Sequence, residues 1–361
     1  MRDTYAIKKG APTYMKEFGY YSLDRWIGEG HIRRQEDLSE ICGFDDPGSF
    51  SLGNLGGCEA PFEPGFETLV LEDRGNHEVV RDSAGRHVLY FKGRRDGFMP
   101  EYLDHPVKDR KTWESECKWR MDPHAPRRME NISRTIGEAL PAAEKGLMLS
   151  QYLVGGYMYL RSLMGPMGLL YKFYDEPSLI HDCMKSWFEV ADFVTAKYQE
   201  QLTLDEILFD EDICYNHGAL ISPEMMEEFL LPYYRQLITN IKNRQPDKTR
   251  HLYLYIATDG CCPPVIPIYE KIGMDVMGPF EAASNNDVVE IGRQYPNLVI
   301  SGGMDKRILA AGKDAIDRMI DRIMPVMKER GGYIPTCDHG VPAEVCFEDY
   351  VYFRKRLLEF A

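Results

Sequence analysis

Residues 331–342 read GGYIPTCDHGVP. A short apolar strand is predicted at the start of this stretch, and it runs directly into Cys337, Asp338 and His339. Three side chains that can titrate or bind a metal therefore follow the carboxyl end of one strand. In α/β proteins the loops after the strand ends usually carry the functional groups. The stretch predicts an α/β fold with its chemistry at the strand ends.

The same arrangement recurs through the second two thirds of the chain. Strands and helices alternate there over roughly 230 residues, which requires a parallel sheet with helical crossovers. Acidic side chains directly follow four further predicted strands: Asp210 with Glu211 and Asp212, Asp259, Glu281, and Asp305. A barrel would bring all of these to one rim, whereas an open sheet would spread them along an edge. With six clear strands and room for another in the apolar region 157–175, we predict a (β/α)8 TIM barrel.

The first part of the chain has a different character. Residues 45–65 are rich in glycine, proline and phenylalanine and are expected to be mostly loop. Short strands are predicted at 68–72, 78–81 and 87–91, with a turn before the last. We therefore predict an irregular, β-hairpin extension over residues 1–125, packed as a lid on a catalytic barrel at 126–361.

Composition excludes several classes of function. The net charge of −14 makes the chain a poor candidate for binding nucleic acid. The sequence has no run of about 18 apolar residues, so we expect no membrane span. Nine cysteines and a first segment without the apolar core of a secretory signal predict reduced thiols in the cytoplasm. A homo-oligomer is compatible with the sequence, but no residue pattern specifies one.

Carboxylates gathered at one rim repel each other unless something positive lies between them. A zinc ion held by Asp259, Glu281 and His339, with Cys337 as a fourth ligand, would relieve this repulsion. The spacings are long and match no compact zinc motif. Acidic residues are also common turn formers after strands, and turn capping is the simpler interpretation of Asp338.

Several segments taken together resemble the uroporphyrinogen decarboxylase superfamily. They are GGMDKR at 302–307, the opening stretch at 331–342, LISPE at 220–224, FLLP at 229–232, and Asp259 with Gly260. The resemblance covers most of residues 130–361 and implies a TIM barrel. It also implies one of two activities, which are decarboxylation of a porphyrinogen and corrinoid-dependent methyl transfer.

The decarboxylase branch carries an arginine-bearing motif of the kind MRQAGRY, which binds the substrate carboxylates. This chain has no such motif, and its basic pairs at 33–34 and 127–128 lack that context. The porphyrinogen substrate of that branch carries eight carboxylates, and a chain of net charge −14 would neutralise them poorly. A decarboxylase of a smaller carboxylated substrate remains the alternative.

In the methyltransferase branch that acts on coenzyme M, a His-x-Cys pair and a later cysteine hold zinc. The corresponding positions here are Ala257, Asp259 and the neighbourhood of His339. This departure resembles the O-demethylase members, which act on methyl ethers, often aromatic ones. The resemblance then implies methyl transfer from a small methylated substrate to the Co(I) corrinoid of a partner protein. The corrinoid must come in trans, because the Asp-x-His-x-x-Gly signature of a corrinoid-carrying domain is absent.

The same resemblance gives each candidate residue a role. Asp259, Glu281 and His339 would hold the zinc, which would activate the ether oxygen. Glu211, Asp212 or Cys337 would complete the metal shell or move the proton. The residues expected to line the substrate pocket are Trp26, Tyr157, Phe209, Tyr215, Asn216 and Phe280. A third hypothesis, a non-catalytic partner of a corrinoid protein, predicts no such acidic rim.

Overall fold

The computed structural model describes residues 19–44, 48–93 and 100–360. Its thirteen described strands are β1 (Ser49–Leu55), β2 (Leu69–Arg74), β3 (His77–Arg81), β4 (His87–Phe91), β5 (Glu101–Asp104), β6 (Met148–Val154), β7 (Glu206–Asp210), β8 (Cys214–Tyr215), β9 (Gly218–Ala219), β10 (Tyr253–Ala257), β11 (Val276–Gly278), β12 (Val299–Ser301) and β13 (Tyr333–Ile334). Seven of them form a parallel sheet in the order β1-β6-β7-β10-β11-β12-β13. The α/β fold of the TIM-barrel type is therefore confirmed, with seven parallel strands among the described residues.

Helices connect these parallel strands. The described α-helices are α1 (Leu23–Gly28), α2 (Asp37–Cys42), α3 (Arg110–Thr112), α4 (Pro126–Glu144), α5 (Gly156–Met164), α6 (Pro166–Asp175), α7 (Pro177–Gln199), α8 (Pro223–Phe229), α9 (Leu231–Arg244), α10 (Ile266–Glu270), α11 (Val288–Gln294), α12 (Lys313–Arg330) and α13 (Phe347–Leu358). Ser222 caps α8 and Asp287 caps α11, because each side chain accepts a backbone N–H of the first turn.

The chain divides into two compact units. Unit 1 comprises Met1–Gly48, Ile213–Leu220 and Leu254–Ala361, and unit 2 comprises Ser49–Asp212 and Ile221–Tyr253. Neither unit is one continuous segment of chain.

Unit 2 contains the start of the parallel sheet. Here β1 pairs with β6, and β6 pairs with β7. The Asp205 carboxylate links the amino-terminal ends of β6 and β7, because it accepts the backbone N–H of Leu149 at 2.7 Å. The same unit carries a separate antiparallel sheet in the order β2-β3-β4-β5, which confirms the predicted hairpin.

Unit 1 contains the later strands. Val276, Val299 and Ile334, one from each of three neighbouring strands, form a buried apolar cluster. Asp275 repeats the role of Asp205, since its Oδ2 accepts the backbone N–H of Leu254 at 2.9 Å. These short buried strands hold the loops that follow them, and those loops carry the acidic residues.

Two local predictions are wrong. Residues 49–55, within the segment expected to be mostly loop, form β1 and so bring the parallel sheet into the range predicted as an extension; residues 45–47 of that segment lie outside the described residues. The apolar region 157–175 holds no strand but the helices α5 and α6, which Gly165 separates. No described helix is long and apolar enough to cross a membrane.

Candidate functional site

In unit 2, polar side chains gather where β6 and β7 end. Glu211 is completely buried, and its carboxylate accepts hydrogen bonds from the backbone N–H of Tyr157 at 3.0 Å and from Tyr234 Oη at 2.5 Å. Tyr234 Oη also accepts the N–H of Gly156 at 2.5 Å. Burial raises the pKa of Tyr234 well above its usual range, and the neighbouring carboxylate reinforces this. Glu211 therefore holds the turn after β6 in place.

Asp212, the next residue, is the more exposed member of this cluster. Its backbone has φ of +40°, an uncommon value for a residue other than glycine and one that clusters at functional sites. Its Oδ2 lies 2.5 Å from Nη2 of Arg161 on α5. The guanidinium at this strand end is thus already neutralised by a carboxylate.

Asp210 lies at the last position of β7 and is half-buried. Tyr152 Oη donates a hydrogen bond to its Oδ2 at 2.6 Å. Burial raises the pKa of Asp210, and the negative charge of Asp212 acts in the same direction, against the hydrogen bond from Tyr152. The cluster can therefore hold a proton on a carboxyl group at a higher pH than an exposed aspartate could.

In unit 1, the loops after β10 and β13 bring His339 and Asp259 together. Nε2 of His339 lies 3.9 Å from Oδ2 of Asp259, and both side chains are partly exposed. The ring of Tyr21 stacks on the imidazole, with the centroids 6.3 Å apart. An imidazole beside a carboxylate is a common arrangement of groups for general acid–base catalysis.

The other acidic residues of unit 1 are held by hydrogen bonds. Glu281 accepts Lys306 Nζ and the backbone N–H of Gly260, each at 3.1 Å. Asp338 is buried and accepts the backbone N–H groups of Ala282 at 2.8 Å and Lys306 at 3.1 Å. Burial raises the pKa of Asp338, although these hydrogen bonds oppose the shift. Asp338 thus clamps two loops, in agreement with the turn-capping interpretation.

The predicted zinc ligands do not form a three-ligand set. Among residues 19–44, 48–93 and 100–360, no group of three or more His, Cys, Asp or Glu side chains is placed to hold a metal ion. His339 and Asp259 approach each other, but Glu281 is occupied by the ammonium of Lys306. Cys337 is fully buried beside its backbone bridge to Met304. The residues as placed do not fit a zinc ion.

Most of the side chains predicted to line a substrate pocket belong to the core. Trp26 is fully buried and donates its indole N–H to the Val345 carbonyl at 2.9 Å. Phe209 packs between Trp187 and Tyr234, and Phe280 is also fully buried. Tyr157 is buried as well, and burial raises its pKa to about 12. Tyr215 and Asn216, on the β8–β9 hairpin, are exposed.

Four residues with clear roles at the strand ends were missed from the sequence. Arg161 and Tyr234 come from helices of unit 2. Tyr21 and Asn286 come from loops of unit 1, where the Asn286 amide donates a hydrogen bond to the Gly260 carbonyl at 2.8 Å. None of them directly follows a predicted strand, and only residues in that position were predicted to lie at the strand ends. Only contacts between segments far apart in sequence reveal them.

Comparisons with known proteins agree with the fold. A family model described as uroporphyrinogen decarboxylase matches residues 99–357. The structure of a methyltransferase from Methanosarcina mazei superposes with a TM-score of 0.58 at 12% identity, covering 98% of this chain and 95% of that one. At such low identity this likeness concerns the fold alone.

Curated relatives are similar over part of their length. A uroporphyrinogen decarboxylase from Geobacter metallireducens is 29% identical over 138 residues, which is 37% of each chain. One from Hordeum vulgare is 26% identical over 184 residues, covering 49% of this chain and 50% of the relative. The alignments therefore span half or less of these relatives. Because the family model covers most of the sequence, the chain belongs to the uroporphyrinogen decarboxylase family.

Proposed function

We propose that the chain is a methyltransferase that takes a methyl group from a small methylated molecule, most simply a methoxyaromatic ether. The methyl acceptor is the Co(I) corrinoid of a separate carrier protein. Membership of the family and the fold shared with a methyltransferase support this proposal. The family also includes the decarboxylases to which the chain is similar. The two activities differ in the charge of their substrates, so the charged groups at the strand ends help to decide between them.

The observation that carries the proposal is that three cations at the strand ends, all within residues 19–44, 48–93 and 100–360, are already paired. In unit 2, Arg161 is bound to Asp212. In unit 1, Lys306 is bound to Glu281, and Arg307 is bound to Asp305 at 2.7 Å. A substrate with several carboxylates needs arginines or lysines that are available to it. A neutral ether needs none, and it suits an acidic surface better.

Demethylation of an ether requires a proton for the departing oxygen, because an alkoxide or phenoxide is a poor leaving group. The methyl C–O bond breaks, its electron pair stays on oxygen, and the oxygen takes a proton. The carrier protein's corrinoid supplies the nucleophile that receives the methyl group. His339, partly exposed and 3.9 Å from Asp259, is the residue of unit 1 best placed to give that proton. Glu281 and Asp338 are held by Lys306 and by backbone N–H groups instead.

The test is an assay of methyl transfer with purified chain, a reduced corrinoid carrier protein and a panel of methoxyaromatic compounds. We expect a phenol product by mass spectrometry, together with loss of the Co(I) absorbance. Release of CO₂ from a carboxylated substrate, without methyl transfer to the corrinoid, would support the decarboxylase alternative and overturn the proposal.

His339→Gln tests the proton donor. We expect a fall in kcat of about 100-fold, since general acid catalysis contributes on the order of 10²–10⁴-fold. His87→Gln is the matched control, because His87 lies 3.8 Å from Asp104 in a comparable exposed pair on the antiparallel sheet. Equal activity of both variants would remove His339 from the mechanism, while methyl transfer by the unchanged chain would still stand.

A further inference from the structure

Unit 2 contains a cleft between its parallel sheet and two of its helices. The cleft encloses about 280 Å³, and it is lined by residues of β1, β6, α4 and α7 and of the loop after β1. At roughly 30 Å³ for one water molecule, this is room for a ligand of about ten non-hydrogen atoms. Neighbouring residues of a strand point to opposite faces, so Gln151, which lines the cleft, and Tyr152, which binds Asp210, lie on opposite sides of β6. The cleft is therefore separate from the carboxylate cluster at the strand ends.

The Gln151 side chain brings an unused hydrogen-bond acceptor to the cleft. Gln151 is 1% exposed, and its amide nitrogen donates to the Gly53 carbonyl at 2.9 Å and to the Tyr152 carbonyl at 2.8 Å. Because two carbonyls face the nitrogen, the amide cannot turn around to bring its oxygen to them. In the part of the chain that the structure describes, Oε1 of Gln151 has no hydrogen-bond partner. A buried acceptor without a donor is destabilising, so a ligand hydroxyl that donates to Oε1 would be favoured.

Two arginines of α4 line the same cleft without a carboxylate partner. Arg128 is 7% exposed, and its Nε and Nη2 donate to the backbone carbonyls of Asp122 at 3.1 Å and Pro61 at 2.9 Å. Arg134, six residues further along the helix, is exposed. Neither arginine forms an ion pair within residues 19–44, 48–93 and 100–360. These cations differ from those at the strand ends, which are bound to carboxylates.

The charges around the cleft favour an anion. Glu63 is the one acidic residue among the described residues that line it, and its Oε2 lies 3.9 Å from Nε of Arg127. The first turn of α4 has no acidic residue, so the partial positive charge of the helix start adds to that of Arg128. Burial lowers the pKa of Arg128, although Glu63 and Asp122 oppose this shift. Buried cations are almost always paired in proteins, and a bound anion would pair this one.

We propose that this cleft binds a small phosphate monoester that also carries a hydroxyl group. Arg128, Arg134 and Asn131 on α4 donate hydrogen bonds to the phosphate, and the ligand hydroxyl donates to Oε1 of Gln151. Three donor side chains match the three terminal oxygens of a phosphate better than the two oxygens of a carboxylate. The carbon skeleton of the ligand lies against the apolar part of the wall, which consists of Leu52, Phe62, Ile132 and Val194.

Isothermal titration calorimetry of the full chain with glycerol 3-phosphate tests the proposal. We expect one molecule to bind per chain, and Arg134→Gln to weaken binding about tenfold, because it removes a charge-assisted hydrogen bond. Lys145→Gln is the matched control, since Lys145 is an exposed cation directly after α4 and outside the cleft. Its affinity should equal that of the unchanged chain. No binding at millimolar concentration, or equal affinities of the two variants, would overturn the proposal.

Propyl phosphate tests the contact with Gln151 without a change in the protein. It has the charge of glycerol 3-phosphate but no hydroxyl, so it leaves Oε1 unpaired and should bind about tenfold more weakly. Equal binding of the two esters would overturn the assignment of the hydroxyl to Gln151. Hydrogen exchange locates the site, because glycerol 3-phosphate should slow exchange of the amides in 52–56 and 128–135. Protection only elsewhere would contradict the proposal. None of these measurements depends on methyl transfer.

Discussion

Glu206 shows how a single buried carboxyl group sets a pH dependence. It is 8% exposed at the start of β7, with Ser150 Oγ 2.5 Å from its Oε1. Burial raises the pKa of Glu206 to about 8. Between the unfolded value near 4.5 and this folded value, the folded state binds the extra proton. The contribution of Glu206 to the free energy of unfolding is therefore fully present below pH 4.5, and it is lost as the pH rises to about 8.

Glu206→Gln should remove this dependence. We expect the free energy of unfolding of the unchanged chain, relative to the variant, to fall by up to about 1.4 kcal/mol per pH unit across this window. Urea unfolding at pH 5, 6, 7 and 8 measures it. Glu189→Gln is the control, because Glu189 is an exposed residue on α7, and its difference should stay flat. A flat difference for Glu206→Gln as well would contradict the argument.

The Tyr234 hydroxyl matters because it serves two buried groups. It donates to the Glu211 carboxylate and accepts the N–H of Gly156, each at 2.5 Å. Tyr234→Phe leaves both groups with an unmet hydrogen bond, and we expect a loss of about 2–3 kcal/mol in the free energy of unfolding. Tyr233→Phe removes the half-buried hydroxyl next along α9, which donates to the His181 carbonyl at 3.0 Å. Tyr233→Phe should lower the free energy of unfolding by about 1 kcal/mol. Equal losses for the two variants would show that the burial of the Glu211 carboxylate adds nothing to the cost of removing the Tyr234 hydroxyl.

For single residues, the sequence predicted where the acidic side chains lie in the fold better than it predicted which groups they contact. Asp338 was interpreted as a turn residue and does accept two backbone N–H groups. The spacing could not reveal that Lys306 occupies Glu281 or that Arg161 occupies Asp212, because these contacts join residues 25 and 51 positions apart. The zinc site predicted at Asp259, Glu281 and His339 therefore did not take into account the ammonium group beside Glu281.

At the scale of helices, Ser222 and the α8 that it caps offer a clean test. The Ser222 side chain accepts the backbone N–H of Met225 at 3.2 Å, and Pro223 follows at the first helical position. Ser222→Ala should destabilise the chain by about 1 kcal/mol, and Ser222→Gly by only a few tenths, since glycine is a better cap than alanine. Thermal unfolding of both variants measures this. The reverse order would show that the hydroxyl cap contributes little here.

The strands that the sequence predicted and the strand that it missed differ in one physical respect. β10, β12 and the Ile-Leu-Phe centre of β7 are short apolar runs bounded by polar residues, which is the pattern of a buried parallel strand. β1 contains Ser49, Gly53 and Asn54, residue types that are typical of a loop, and its register with β6 shifts between Ser51 and Asn54. Conversely, α5 and α6 are short and apolar, and their length alone does not distinguish a helix from a strand.

For the whole molecule, the consequence of this topology is that residues 126–361 should not fold alone. That fragment would lack β1, the partner of β6 in unit 2, and Trp26, which is buried against Val345 in unit 1. Both units would therefore lose buried contacts. We expect the fragment to show no cooperative thermal transition by circular dichroism, and co-expression with residues 1–125 to restore one. If the fragment alone melts cooperatively at the temperature of the full chain, residues 126–361 form an independent barrel domain and residues 1–125 are a true extension.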